Sequence, residues 1–448
     1  MPVSNANKAM LNGLKRSDVI TTLSTSKRFV REARWLSRNN IYKTDAAEKV
    51  ESEVAAGVIT NPRHLAQYIS VSTLLHCSDG WSYLGRAVQA LLRGDPHRAR
   101  HLAYYAELRA AMSLLASEGV GIFSARHAYI SGPNHAAPLS GGREGTHVIV
   151  WDCLSNWAQH SRSGDLFSSI IKPYGRSLGD WLAPINGQAN LGAQAHSWFM
   201  QWGMDLQTMA NDRRARNHSS YRPEGIPTSL TLDSLETTQT VGEIWKALEP
   251  DPNSAFDLID RHILRLALES VCRSRSGSNS LRGGALKTMV STVVTYQSLP
   301  TKFHDLWIDF LMREKEPNDA RVLGLSKNAP TTSARSAFSM VARAVLLLRI
   351  ASGSTSQLFQ DAGFTSSEIE FWWTELGPAR GLWNSDGAPE NAADLWSDID
   401  VALSSLDAFE TDYTGSRHSF YNLGSHYGDA VSSLGSFERA MVWSLLPA

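Results

Sequence analysis

Two helix-starting signals constrain this chain more than any other feature. Asn61-Pro62 and Asp95-Pro96 each place a side chain suited to capping a helix directly before a proline suited to the first helical position. An apolar run with helical spacing follows each of them, over 64–75 and 96–118, and Gly119 ends the second. We therefore expect long helices to dominate the fold.

Comparable spacing predicts helices along most of the remaining chain, near 26–39, 45–56, 80–93, 149–160, 193–211, 254–273, 285–296, 302–314, 333–352, 366–377, 391–408 and 435–446.

One stretch departs from the helical pattern. The segments 120–123, 128–130 and 147–151 are short, rich in β-branched or aromatic residues, and separated by turn-forming residues. The predicted fold class is therefore mostly α, a multi-helix protein of two to three helical subdomains with a small β-hairpin excursion near 120–151.

Two polar, linker-like stretches, 222–229 and 273–280, help to divide the chain. The sequence predicts an N-terminal basic helical region over 1–94. A helical domain that carries the β excursion follows over 95–225. A C-terminal helical domain over 226–448 completes the chain, and no repeat of fixed period is visible.

Charge is balanced overall but segregated along the chain. The formal net charge of −1 excludes a protein whose whole surface attracts nucleic acid, although it permits a local basic site. Residues 1–50 hold ten basic side chains against four acidic ones, whereas residues 366–412 hold eleven acidic side chains and one basic one. Such segregation could pair the two ends, steer a partner, place nucleic acid at the basic end, or only solvate helix faces. The basic candidates for nucleic-acid binding in the first region are Lys27, Arg28, Arg31 and Arg34.

Targeting and redox features point to the cytoplasm. No uninterrupted apolar run approaches the roughly 18 residues that span a bilayer, and the N-terminus lacks the apolar core of a secretory signal. The three cysteines show no paired spacing, which disfavours a disulfide framework or a cysteine-based zinc site. We predict a cytoplasmic protein without a membrane partner.

The densest group of chemically capable residues lies over 211–223, after an aromatic-rich helical stretch. Arginine holds phosphate through two parallel hydrogen bonds, and histidine transfers protons near neutral pH, so the group suits metal-independent RNA cleavage. The same cations could instead meet the dipole at a helix C-terminus, with Asn ending the helix. The candidate catalytic residues are Arg213, Arg216, Asn217 and His218, and Arg214 and Arg222 are further candidates for nucleic-acid binding.

Two motifs resemble those of HEPN domains. The stretch 101–119, with Tyr104-Tyr105 before small residues, an aliphatic run and Gly119, is similar to the long helix of that family, and Arg216-Asn217 with Ser220-Tyr221 resembles its closing motif. The resemblance covers 95–225. It implies a helical bundle that often forms homodimers, with an Arg/His ribonuclease site across the dimer, and membership of prokaryotic toxin and antiphage defence systems. The family places its histidine four to six residues after the arginine; no histidine follows Arg216 at that distance, and only Arg213 with His218 fits. Either the motif begins at Arg213, or this is a catalytically degenerate copy kept for packing or binding.

Other cofactor or metal motifs lack support. His418 and His426 have no carboxylate between them at zinc-ligand spacing, and 141–145 lacks the Gly-Lys-Ser/Thr of a nucleotide-binding loop. We predict no cofactor and no metal. The leading hypothesis is an RNA-cleaving or RNA-binding component of a defence complex that includes a protein partner. The alternative is a non-enzymatic helical scaffold or adaptor.

Overall fold

The computed structural model confirms a mostly α-helical protein with one small antiparallel sheet. It describes residues 5–139, 144–187, 197, 211–214, 217, 231–276, 284–328, 333–383, 387–412 and 418–445.

The described α-helices are, in chain order, α1 (Asn5–Gly13), α2 (Arg16–Ser24), α3 (Lys27–Val30), α4 (Ala46–Ala55), α5 (Pro62–Leu92), α6 (Pro96–Ser117), α7 (Thr146–Ala158), α8 (Ser161–Ile170), α9 (Leu178–Leu182), α10 (Ser234–Ala247), α11 (Asp257–Ser276), α12 (Gly284–Tyr296), α13 (His304–Leu311), α14 (Arg321–Ser326), α15 (Ser336–Asp361), α16 (Ser366–Arg380), α17 (Leu395–Asp412), α18 (Phe420–His426), α19 (Gly428–Ser433) and α20 (Glu438–Leu445).

The two proline-led helices begin as the sequence predicts. The Asn61 side chain accepts from the His64 backbone N–H at 3.0 Å, and Asp95 accepts from that of Arg98 at 2.8 Å. Each cap satisfies an amide that has no partner within the helix. The helix that starts at Pro62 continues without a break to Leu92, and Gly80 within it packs closely against Leu348 of α15.

The sheet is smaller than the predicted β excursion. It holds β1 (Val120–Gly121), β2 (Ala128–Gly132) and β3 (His135–Pro138), in the order β1-β2-β3 with antiparallel pairing. The expected strand over 147–151 is wrong, since those residues lie in α7. Ile149 and Val150 are buried there, so packing of a helix face outweighs the β preference of branched side chains.

The predicted helix over 26–39 is also largely wrong. Only α3 is helical, and Ala33 then adopts a positive φ of 53°. The turn brings the Trp35 ring against Phe359, Phe371 and Trp372, with centroids 4.9–6.2 Å away. Burial of aromatic surface favours this arrangement over continued helix.

The apolar helix α15 runs through the interior. It is the one helix among the described residues that is long and apolar enough to cross a membrane, and 94% of its most apolar 18-residue window is buried inside the protein. Such burial is typical of a core helix of a soluble protein. Its two arginines are neutralised internally, Arg343 by Asp212 and Arg349 by Asp260, each at 2.6 Å.

The three segments proposed from the sequence contribute to one hydrophobic core. Helices α5, α6 and α15 pack together, and buried apolar residues from Leu11 to Leu445 form one contiguous cluster. The domain boundaries expected at 94/95 and 225/226 stay predictions.

Candidate functional site

The arginine-rich segment is attached to the core through an acidic residue. Residues 211–214 are helical, and Asp212 is fully buried. Arg343 donates two hydrogen bonds to Asp212, from Nε to Oδ2 at 2.9 Å and from Nη2 to Oδ1 at 2.6 Å. This bidentate contact fixes the position from which the preceding and following side chains project.

A second buried acid faces the same guanidinium. The Glu107 carboxyl lies 3.5 Å from Arg343 Nε and is fully buried. The Glu107 carboxyl therefore lies beside both the Arg343 guanidinium and the Asp212 carboxylate. Burial, and next the neighbouring Asp212 carboxylate, raise the pKa of Glu107 well above its usual range. The cluster is consequently most stable with Asp212 ionised and Glu107 neutral.

Arg213 and Arg214 differ in their surroundings. Arg213 is half-buried, and its Nη1 donates to the His147 carbonyl oxygen at 3.3 Å. Arg214 is exposed and donates to Asn211 Oδ1 at 2.9 Å. Asn217 is helical and half-buried. The other three predicted site residues, Arg216, His218 and Arg222, lie outside the described residues, so their relation to Arg213 stays a prediction.

The tyrosine motif of α6 meets the arginine-rich segment at His147. The Tyr104 hydroxyl lies 3.1 Å from His147 Nδ1, and the rings of Tyr104 and Tyr105 lie 5.6 and 6.0 Å from the imidazole. The His147 carbonyl oxygen also accepts from Arg213, so the Tyr104-Tyr105 pair and the arginine-rich segment both contact His147. No motif in the sequence indicated a functional role for His147, which belongs to the segment predicted as a strand.

His147 lines a cavity of about 620 Å³ beside α5 and α6, which we call the α5–α6 cavity. Its wall includes Tyr105 and Arg109 of α6, His76 of α5, and Phe123 after the first strand. Asp45 and Glu48, at the start of α4, line it as well. The cavity therefore brings imidazole, guanidinium and carboxylate groups to one place.

Arg109 is the centre of the polar cluster in this cavity. Its Nη1 lies 2.9 Å from His76 Nδ1 and 3.7 Å from the Asp79 carboxylate. Burial, and next the Arg109 charge, lower the pKa of His76 to about 3, so this imidazole stays neutral near pH 7 and accepts from Arg109. It positions the guanidinium and does not supply a proton. Burial also raises the pKa of Asp79, and Arg109 opposes that shift.

A second depression of about 820 Å³, the tryptophan groove, continues from the α5–α6 cavity. The two share Tyr68, Ser72, His76 and Arg109. Half-buried aromatic rings of Trp35, Phe371 and Trp372 line the groove. Its charged lining residues are Arg34, Arg38, Lys43 and Arg109, opposed by Asp79 and Glu375.

The predicted basic residues of the N-terminal region have different environments. Of the four, only Arg34 lines the groove, and it is paired with Glu32. Lys27 pairs with Glu368 at 3.1 Å, so the basic and acidic regions of the chain contact each other here. Arg28 is exposed beside the Phe29 ring, and Arg31 is exposed.

Arg38 and Lys43 extend the basic set beyond the residues singled out from sequence. The Arg38 side chain is 81% exposed, and Lys43 is exposed. The excess of basic residues near the N-terminus was a signal for both, whereas Arg109 had none.

Within the described residues, no group of three or more His, Cys, Asp and Glu side chains has the arrangement of a metal site. Comparison of the chain with protein-family models, curated proteins and solved structures finds no match.

Proposed function

We propose that this protein binds single-stranded RNA along the tryptophan groove, with the strand leading into the α5–α6 cavity. The observation that carries the proposal is that the two depressions share lining residues, Arg109 among them, so that aromatic rings and cationic side chains of one adjoin His147 of the other. Single-stranded nucleic acids are held by this combination of stacking surfaces and basic groups.

The aromatic side chains offer surfaces for bases. Trp35 lies 4.9 Å from Phe371 and 5.8 Å from Trp372, measured between ring centroids, and all three side chains retain exposure. Their mutual packing holds the rings in place before a ligand binds. Stacking on such a ring contributes about 1–3 kcal/mol per base.

The charged side chains divide into phosphate-binding and base-binding groups. Arg38, Lys43 and Arg109 can contact phosphates, and a guanidinium also stacks on bases. The carboxylates of Asp79 and Glu375 disfavour phosphate nearby but accept hydrogen bonds from base N–H groups and 2′-hydroxyls. We therefore place the backbone along the Arg38–Lys43 side of the groove and the bases toward Trp372.

The binding proposal is tested with a labelled 20-nucleotide RNA and fluorescence anisotropy over a salt series. The variant R38Q/K43Q should bind at least tenfold more weakly, and the slope of log K against log salt should fall by about 1.4, because each lost phosphate contact accounts for about 0.7. The matched control K287Q/K302Q removes the same charge from exposed lysines that do not line the groove. Equal weakening by both double variants would contradict a groove-specific site.

Metal-independent cleavage is a second candidate, favoured by the position of His147 beside Arg213 and Tyr104. An imidazole can transfer the 2′-hydroxyl proton, and a guanidinium can stabilise charge that develops on the phosphate. RNA incubated with the protein in chelator should be cut, and H147A should abolish cutting without lowering RNA affinity more than twofold. Cutting that survives H147A but is lost in H218A would assign the role to His218, as the sequence predicts, and cutting that survives both would remove both histidines from the mechanism.

The scaffold hypothesis makes the opposite prediction. It requires no cleavage and no groove-dependent RNA affinity, with a protein partner or a second copy bound through charged surfaces. The Lys27–Glu368 pair shows that part of the opposite charge is neutralised within the chain. Homodimer formation, a partner protein, a role in antiphage defence and a cytoplasmic location remain predictions, and light scattering with analysis of co-purified macromolecules tests the first two.

A further inference from the structure

A second cavity, separate from the proposed RNA site, lies on another side of α16. It has a volume of about 630 Å³, within the range of small-molecule sites. We call it the acidic cavity. Glu370, Trp373, Trp383 and Glu390 line it, with Ser366 at the start of the helix and Val442 of α20.

The sequence shapes the wall that carries the two tryptophans. Trp373 and Gly377 lie four residues apart on one face of α16. Gly381 then adopts a φ of 68° and ends the helix, and the Leu382 N–H bonds back to the Gly377 carbonyl oxygen at 2.9 Å. This turn returns Trp383 against Gly377, where a Cβ atom would overlap the indole ring. Gly377 is thus required for the ring to pack so closely.

Both indole N–H groups are buried without a hydrogen-bond partner among the described residues. Trp373 is 1% exposed and still lines the cavity. A buried donor without an acceptor costs free energy, and such groups are uncommon in folded proteins. An acceptor oxygen on a bound molecule would satisfy either donor.

The charge of the cavity is negative. Glu370 and Glu390 are exposed at its wall, and none of the described residues that line it is basic. The basic residues of the surrounding elements are engaged with other acids, Lys27 with Glu368, Arg380 with Glu438 and Arg439 with Asp398. An anion is therefore disfavoured, whereas a cation between the two carboxylates and the Trp383 ring is favoured.

We propose that the acidic cavity binds a small organic cation, an alkylammonium group with a neighbouring hydroxyl or carbonyl oxygen. The partly exposed Trp383 ring and the two carboxylates receive the cation, and an indole N–H at the wall is the donor for the oxygen. Trp is the strongest cation–π partner among the side chains, and quaternary ammonium groups bind to such faces.

Calorimetry with choline as the probe tests this site. Choline carries a quaternary ammonium and a hydroxyl, and 3,3-dimethyl-1-butanol is its uncharged isostere. Choline should bind the full chain with a dissociation constant of about 1 mM or lower, and the neutral alcohol should bind at least tenfold more weakly. Equal affinity for the two compounds, or no saturable choline binding up to about 10 mM, would overturn the proposal.

Matched variants locate the binding. E370Q/E390Q and W383A should each weaken choline at least tenfold, whereas D400N/D407N, which removes the same charge from exposed positions on α17, should change affinity less than twofold. Circular dichroism confirms that each variant is folded. Equal loss in both double variants would show a diffuse charge effect and would overturn the assigned site. Sedimentation with phosphatidylcholine vesicles separates a lipid headgroup from a free ligand, since only the former carries the protein into the pellet.

Discussion

Glu107 and Asp212, the two buried acids beside Arg343, allow a test of which carboxyl carries the negative charge. Two isosteric substitutions should change the free energy of unfolding by very different amounts. Glu107→Gln replaces a carboxyl that the surroundings keep neutral, so we expect stability near pH 5 to change by about 1 kcal/mol or less. Asp212→Asn removes the ionised partner of a fully buried guanidinium. Breaking a buried ion pair in this way costs about 3–5 kcal/mol.

The dependence on pH is also fixed in sign. The pKa of Glu107 is raised in the folded state above its ordinary value of 4.5, so its stabilising contribution is complete below about pH 4.5 and decreases as the pH rises toward the folded pKa. Over that interval the loss is about 1.4 kcal/mol per pH unit. Gln does not ionise, so the free energy of unfolding of E107Q relative to the wild-type chain should rise from pH 5 to pH 7.

Urea denaturation followed by circular dichroism at pH 5, 6 and 7 measures both effects. Comparing each variant with the wild-type chain at the same pH cancels the titration of all other groups. D212N serves as the control for loss of an acid at the same guanidinium. A constant difference between E107Q and the wild-type chain across the series, or a cost of E107Q equal to that of D212N, would refute the assignment of the charge to Asp212.

Two further predictions concern packing and thiol chemistry. Gly85→Ala should destabilise the protein by about 1–3 kcal/mol in urea denaturation, because the added Cβ would overlap the Gly435 carbonyl oxygen. This loss should occur although Ala is the better helix former. The control Gly324→Ala, at a position with open space around it, should be neutral or stabilising. A destabilisation of the same size at both glycines would contradict the packing argument. Burial raises the pKa of Cys77 to about 11 and that of Cys153 to about 12, and Cys272 is also buried. A disulfide reagent at pH 8 should therefore react with no cysteine of the native chain and with all three after unfolding. The three buried thiols are those of Cys77, Cys153 and Cys272.

Prediction from sequence succeeded where the signal was local. The caps at Asn61 and Asp95 and the extent of α6 were correct, because an N-cap and helical periodicity act within a few residues. It failed at 147–151 and beyond Val30, where burial against distant segments outweighed local preference. The sequence also contained no signal that Gly80 would lie inside one continuous helix.

The candidate site shows the same division. The sequence indicated Arg213 and the Tyr104-Tyr105 pair separately, and the fold places both beside His147. The sequence also indicated a basic N-terminal region. In the fold, Arg34, Arg38 and Lys43 line one groove, whereas Lys27 forms an ion pair with Glu368.

By itself the sequence determined that the protein is mostly helical, where several helices begin, and which segments are rich in cationic or acidic side chains. Only the tertiary structure decided that Arg109, His76 and His147 share a cavity, that Asp212 lies in the core, and that two tryptophans border an acidic cavity. The physical reason is the separation along the sequence over which each interaction acts. Caps and periodicity depend on neighbouring residues, whereas burial, ion pairing and cavity shape depend on residues brought together from distant parts of the chain.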